Sequence, residues 1–309
     1  MRPALSYRPG NSNLYRLNAY ARLLWSLGVI VLCLIFNSPV YLLILLASVV
    51  NIVNSAGLLK PWTTVLKLGI WMGITIIIIN MLFSYHGTHI LLTVPFQLPV
   101  LGTPVITLEA MAFGTSMAVK LLIIISVMAF INYSVHPDDI MAVMLKMRLP
   151  YKSVLVTTLS TRYIPCLADD VSRIRDAYRT RRINLDTGNW FKRAKNNSAT
   201  VMPLLSNSLE RAVQVAEAME ARAFGSGKKR VFYHAIKSSA IDWIILACAG
   251  LPLVLGIVIR IIGQGDYQYY PSFPEISLKP ADLIWPLALL LSLLLILPAA
   301  AIRRKIELD

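Results

Sequence analysis

Blocks of apolar residues, each closed by polar ones, constrain this chain more than any other feature. A helix needs roughly 20 mostly apolar residues to cross a bilayer. Residues 64–84 form one such block, centred on Ile74 to Ile79, and residues 110–133 form another. Residues 240–262 and 282–302 give two more near the end. Residues 23–36 and 40–53 are shorter runs separated by Asn37-Ser-Pro39, which reads as two short or tilted spans or a hairpin. With 56% hydrophobic residues the chain leans away from soluble composition. No alternation of the barrel type runs through these blocks, and a lipid-exposed backbone must satisfy its own hydrogen bonds. The expected fold class is therefore all-α: a polytopic membrane protein of about six transmembrane helices with a cytoplasmic helical unit.

Charge orients the spans. Of 30 Lys and Arg residues, eighteen lie within 134–238. Arg2, Arg8, Arg16 and Arg22 precede or begin the first span, Lys60 and Lys67 flank the 54–67 connection, and Arg303, Arg304 and Lys305 stand in the tail. The loops 85–108 and 263–281 carry only Lys279. Positive residues mark the cytoplasmic side, so both termini and residues 134–238 are expected there, in a multi-pass cell-membrane protein. The formal charge of +14 is mostly a topology signal. It does not form one basic patch interleaved with aromatics, which argues against nucleic acid as a partner. The N-terminal run leads directly into further spans and has no small-x-small site, so it does not read as a cleavable signal. Cys33, Cys166 and Cys248 are isolated and read as small packing residues, with no disulfide framework.

Three parts follow: membrane helices over 1–133, cytoplasmic helices over 134–238, and a two-helix membrane segment over 239–309. The cytoplasmic part reads as three helices. The first starts at Ser134-Val-His-Pro-Asp-Asp, with Ser134 as its cap, and runs to about Met147. The second spans about 153–183, with Asp169 and Arg173 at i,i+4 and a bend near Pro165. The third runs from about Phe191 to Phe224, kinked near Pro203, and stops at Gly225-Ser-Gly227. The cluster Lys228-Lys-Arg230 near membrane re-entry suits anionic lipid head groups.

Chemistry-bearing motifs are scarce. Gly225-Ser-Gly-Lys228 lacks the glycine that a phosphate loop needs five residues earlier, where Arg222 stands, and it follows a helix rather than a strand. His86 and His89 at i,i+3 have no further ligands in their loop, so no metal site is expected. No cofactor is expected either. Lys120, inside a span, is expected near mid-membrane, facing a protein interior or a polar partner surface.

Two arginines carry more information. On the second helix Ile164, Leu167, Val171, Ile174, Tyr178 and Arg181 share one face. On the third, Leu205, Leu209, Ala212, Val215, Ala216, Met219 and Arg222 do the same. A basic helix end is favoured by the dipole, which explains one arginine. Two arginines on apolar stripes, each followed by a break, match a helix-in-groove interface with an arginine hot spot. Ser208, Ala212 and Ala216 are small enough to let two such helices cross closely.

These residues resemble the T component of energy-coupling factor transporters, the membrane proteins of the EcfT, CbiQ and BioN type. The likeness runs through Arg162-Tyr-Ile-Pro165, Asp169-Asp170, Arg173-Ile174, Ala177-Tyr178 and Thr180-Arg181-Arg182, and again through Ala218-Met-Glu-Ala-Arg-Ala223. Ile106-Thr-Leu-Glu-Ala110 and Ser134-Val-His-Pro-Asp-Asp-Ile140 are similar to two further family stretches. The glycine of each Ala-Arg-Gly signature is replaced here, by Arg182 and by Ala223, and the leading alanine of the first is Thr180. The resemblance implies a non-catalytic coupling subunit that joins two ATP-binding-cassette ATPases to a membrane-embedded substrate-binding S component of a vitamin or metal-ion importer. It assigns ATPase coupling to Thr180, Arg181 and Arg182 and to Ala221, Arg222 and Ala223. A self-sufficient secondary transporter or channel would instead show several deep ionisable residues or broken helices in matching halves. An intramembrane enzyme would show a His, Asp or Ser cluster at one depth.

Overall fold

Each apolar block becomes a helix in the computed structural model, which describes residues 19–83, 89–93, 105–136, 139–140, 143–144, 150–181, 189, 191, 196–224, 226, 240–269 and 280–299. The helices are α1 (Ala19–Ile35), α2 (Pro39–Ser55), α3 (Leu59–Phe83), α4 (Leu108–Ser134), α5 (Tyr151–Thr180), α6 (Val201–Ala221), α7 (Ala240–Ile261) and α8 (Pro280–Leu294). Within α7, the stretch Asp242–Ile261 joins α3 and α4 as long and apolar enough to cross a membrane; α1, α2 and the last helical stretch are shorter apolar helices. The 23–53 region is thus two separate helices, broken at Asn37 and Ser38, where Pro39 opens α2. One short ladder was not expected: β1 (Ile90–Thr93) pairs antiparallel with β2 (Val105–Thr107).

The chain divides into two compact units, Met1–Asp139 with Ser238–Asp309, and Ile140–Lys237. In the first, α4 packs against α1, α2 and α3, while α7 packs on α1 and α8 on α2 and α7. The core between them is aliphatic, with Leu32, Leu45, Ile123, Val127, Ile259, Leu289 and Leu293 almost fully buried. Trp25 meets Phe130 edge-on at 6.2 Å and donates its indole N–H to the Leu293 carbonyl at 3.3 Å.

Small residues let α3 and α4 approach closely: Gly73 faces Ala118, Gly114 faces Ile77 and Asn80, and Gly69 faces Leu122. A Cβ added at Gly114 would lie 3.2 Å from the Ile77 Cα, and one at Gly73 would lie 3.2 Å from the Ala118 Cβ. Lipid supplies no hydrophobic drive between helices, so close backbone approach through small residues is what holds such a pair. Much of the outer side of α3 is exposed apolar surface, with Trp71 71% exposed.

At the start of α4, Thr107 accepts the Ala110 N–H at 3.3 Å and serves as the N-cap. Glu109 is fully buried and takes the His89 N–H at 3.1 Å. The Ile106-to-Ala110 stretch therefore ties the ladder to the helix. Ser134 does not cap the next helix, as its position before two aspartates suggested. It is the last residue of α4, and its carbonyl accepts from Arg22 Nη1. Of the helix expected beyond it, Asp139, Ile140, Val143 and Met144 are helical, and Met147 lies outside the described residues.

In the second unit α5 runs through Pro165 to Thr180 without interruption. Pro203 falls in the first turn of α6 and so does not kink it; the break lies before it, in a turn at 199–200. α6 ends in a Schellman geometry. Ala223 donates its N–H to the Glu220 carbonyl at 2.8 Å, and Phe224 donates to Met219 at 2.9 Å. Ala223 sits at φ 54, the left-handed region where glycine is favoured. Cys166 is exposed on α5 and is not a packing residue; Cys33 is buried.

Two substitutions check this packing. Gly114→Leu should weaken the α3–α4 contact by about 1–3 kcal/mol, because backbone cannot move aside as a flexible side chain can; a detergent-stability midpoint at or above wild type would contradict it. Ala223→Gly should stabilise the end of α6 by up to about 1 kcal/mol, since relief of left-handed strain exceeds the added unfolded-chain entropy. Amide exchange at Phe224 should slow accordingly.

Candidate functional site: two arginine-ended helices

An ion pair joins the two helices carrying the arginine signatures. Asp170 of α5 is 8% exposed, and its Oδ2 lies 2.9 Å from Nη2 of Arg211 on α6. A second tie comes from Tyr178, whose hydroxyl donates to the Ala199 carbonyl at 3.3 Å. Going from the first contact to the second advances along α5 and retreats along α6, so the helices run broadly antiparallel. Ile174, Tyr178, Leu204, Ser208, Val215 and Met219 are half-buried.

Each signature arginine is the C-cap of its helix. Arg181 has φ −80 and ψ 9, with its N–H on the Ala177 carbonyl at 3.4 Å. Arg222 has φ −89 and ψ 14. Both side chains are exposed, as are Thr180, Ala221 and Ala223. Thr180 folds its hydroxyl back onto the Ala177 carbonyl at 2.8 Å. Neither guanidinium makes an ion pair or hydrogen bond among the described residues, so their donors remain available. Arg182 lies outside the described residues.

The spacing is even. Arg181 stands eleven residues beyond Asp170, and Arg222 eleven residues beyond Arg211, so each tip is about 16 Å from the central ion pair along its own axis. Arg181 projects from the Ala199 end of α6, whereas Arg222 lies at the far end. The tips are therefore on the order of 30 Å apart.

The apolar stripes divide. On α6, Val215 and Met219 turn towards α5, but Leu205 and Leu209 do not: Leu209 is 61% exposed, and with Met202, Leu205 and Val213 it forms an uncovered apolar face. Ala212 and Ala216 are exposed too, so the small-residue crossing expected there does not occur. Ser208 alone of the three is half-buried, its hydroxyl on the Leu204 carbonyl at 2.6 Å. On α5, Ile164 is 64% exposed, while Leu167, Val171 and Ile174 are half-buried. The Asp170–Arg211 pair was not legible beforehand. Its only trace in the sequence is a carboxylate and a guanidinium on the inner face of their respective helices.

Lys120 belongs to a different place. It lies in α4 of the first unit and donates to Asn37 Oδ1 at 2.8 Å, level with the break between α1 and α2. Beyond α7, Asp266 pairs with Arg260 at 3.3 Å, and the hydrogen bond from that guanidinium is the main cause holding its carboxyl below the usual range. Burial pushes the phenol of Tyr269 up.

Comparison with known proteins agrees with this architecture. A family model described as a cobalt transport protein, CbiQ, matches residues 10–233. The energy-coupling factor transporter transmembrane protein EcfT of Acidaminococcus fermentans is 27% identical over 252 residues, which is 78% of this chain and 91% of that protein. The EcfT proteins of Clostridium kluyveri and Lacticaseibacillus paracasei are each 26% identical, over 264 and 274 residues. Each match takes in 82% of this chain, with 95% and 96% of those proteins respectively. The exposed arginine-ended helices of one unit, the apolar helices of the other and a family match over most of the length converge on one identity: the chain belongs to the CbiQ family, the T-component family of energy-coupling factor transporters.

Proposed function

We propose that this chain is the coupling subunit of an energy-coupling factor importer for a vitamin or a metal ion, and that it hydrolyses nothing itself. Arg181 and Arg222, each with its flanking residues, are the seats of two separate ATP-binding-cassette ATPases, which hydrolyse the ATP. Motion of α5 and α6 is passed to a membrane-embedded S component that captures the substrate. Both termini and residues 134–238 lie on the cytoplasmic side, between membrane parts at 1–133 and 239–309.

One observation carries the reading: two helices of one unit end at exposed arginines that have no partner among the described residues and stand well separated from each other, beside apolar surface that the described residues of that unit leave uncovered. A guanidinium presents five donors in a fixed fork, which suits a carboxylate in a partly dry groove. The apolar face of Met202, Leu205, Leu209 and Val213 supplies the burial such a groove needs. Two partners fit better than one, because the tips are too far apart for a single small groove.

Arg181→Glu and Arg222→Glu should each release an ATPase or abolish ATP-driven uptake while leaving the protein in the membrane, because breaking one buried charge pair costs about 2–5 kcal/mol. Arg→Lys at either position should be intermediate, since the charge stays and the fork is lost. Unchanged co-purification and uptake in both glutamate variants would defeat the coupling role. For orientation, a membrane-impermeant maleimide should label exposed Cys166 in inside-out vesicles and spare it in intact cells. Labelling from outside would reverse the assigned topology.

A further inference from the structure

A cavity of about 370 Å³ in the first unit is built around Lys120, and nothing in the coupling role uses it. It is partly open, and its wall combines Phe113, Ser116, Met117, Tyr267 and Tyr269 with the lysine. The aromatic side is well ordered by its own contacts: Tyr269 meets Phe113 at 5.6 Å and Tyr267 at 4.7 Å, both edge-on. The Tyr269 hydroxyl donates to the Asn37 carbonyl at 2.8 Å, which leaves Ser116 to donate into the 2.6 Å contact between the two hydroxyls. These groups satisfy one another.

Lys120 is the exception. An ammonium has three donors, and its one hydrogen-bond partner among the described residues is the neutral Asn37 Oδ1. No carboxylate pairs with it among the described residues. Asp266, which takes a hydrogen bond from the Asn37 side chain, is engaged by Arg260. A half-buried cation that no described carboxylate balances, set among apolar helices, is costly to keep. The space beside it falls within the size range of small-ligand sites. The Gln268 amide lines the same space and adds a polar group.

We infer that this cavity binds an anionic group, a carboxylate or phosphate, which seats on Lys120 with its apolar part against Phe113, Met117 and the tyrosine rings. The same chemistry comes from two sources, a soluble organic anion or the headgroup of an anionic phospholipid. The inference is independent of how the arginine-ended helices act.

The test uses the full chain in phosphatidylcholine nanodiscs, with phenyl phosphate, benzoate, or phosphatidylglycerol mixed into the bilayer as probes. Acylation of Lys120 by an amine reagent is followed by mass spectrometry. A probe at about ten times its Kd should slow acylation roughly tenfold, as near-complete occupancy requires. Protection by phenyl phosphate or benzoate identifies a soluble anion, and protection by phosphatidylglycerol alone identifies the lipid headgroup. Native mass spectrometry should show the protecting probe retained by wild type and by Lys120→Arg, and lost from Lys120→Met. Should Lys120→Met fail to fold, protection of the wild-type lysine still decides the matter. An acylation rate that none of the three probes changes, or equal retention by wild type and Lys120→Met, overturns the site.

Discussion

Two cations fasten α1 to α4, and the distance between them fixes how the membrane unit is assembled. Arg22, 4% exposed at the start of α1, reaches the Ser134 carbonyl at the end of α4 and lies 3.8 Å from Asp139. Lys120, inside α4, reaches Asn37 just past the end of α1. Fifteen residues separate Arg22 from Asn37 and fourteen separate Lys120 from Ser134, about 22 and 21 Å of helix. The two spacings match, so an antiparallel α1 and α4 satisfy both contacts in one register. A slip by a helical turn would strand a guanidinium and an ammonium in apolar surroundings, at several kcal/mol. Aliphatic packing alone tolerates sliding; the two charges do not.

The same register explains where the Lys120 cavity lies. α1 stops at Ile35, whereas α4 continues for twelve more residues past Lys120 to Leu108. With α1 too short to cover that stretch, the segment after α7 fills part of the gap: Gly265 accepts both the Asn37 and Ser38 N–H groups at 3.2 Å, and Tyr269 closes over Ser116. What remains unfilled is the cavity. Its polar floor follows directly from one helix ending beside the middle of another.

How much of this was legible beforehand depended on the range of the interaction involved. The helices were readable because apolar length and periodicity are local, and α3, α4 and α7 follow their blocks closely. Helix ends set by local chemistry were also readable, as at Pro39 and around Arg222. Long-range pairings were not. Nothing near Lys120 in sequence points to Asn37, and nothing near Asp170 points to Arg211. Ser134 was misread for the same reason. Its position ahead of two aspartates looks like a cap, but the contact that matters is its carbonyl with Arg22, 112 residues away. The stripe on α6 failed differently. Periodicity groups Leu205 with Val215 on one broad side, but only the edge centred on Ser208, Val215 and Met219 meets α5. An apolar face wider than its neighbour can cover looks in sequence like one that is fully buried.

The end of α6 shows which part of the arginine signature is geometric. A glycine at the residue after the arginine would enter the left-handed region without cost, yet this chain places Ala223 there at φ 54 and still closes both Schellman hydrogen bonds. The backbone turn is therefore kept against the preference of the side chain. Continuing the helix through Ala223 would be easier for alanine, and it would leave Arg222 in mid-helix instead of at its end. An energetic cost accepted at the residue that ends the helix makes sense if the exposed position of the arginine is what the turn secures. On the proposed coupling role, the strain at Ala223 and a guanidinium of Arg222 that has no partner among the described residues are two sides of one requirement: the helix stops where its charge can reach a partner.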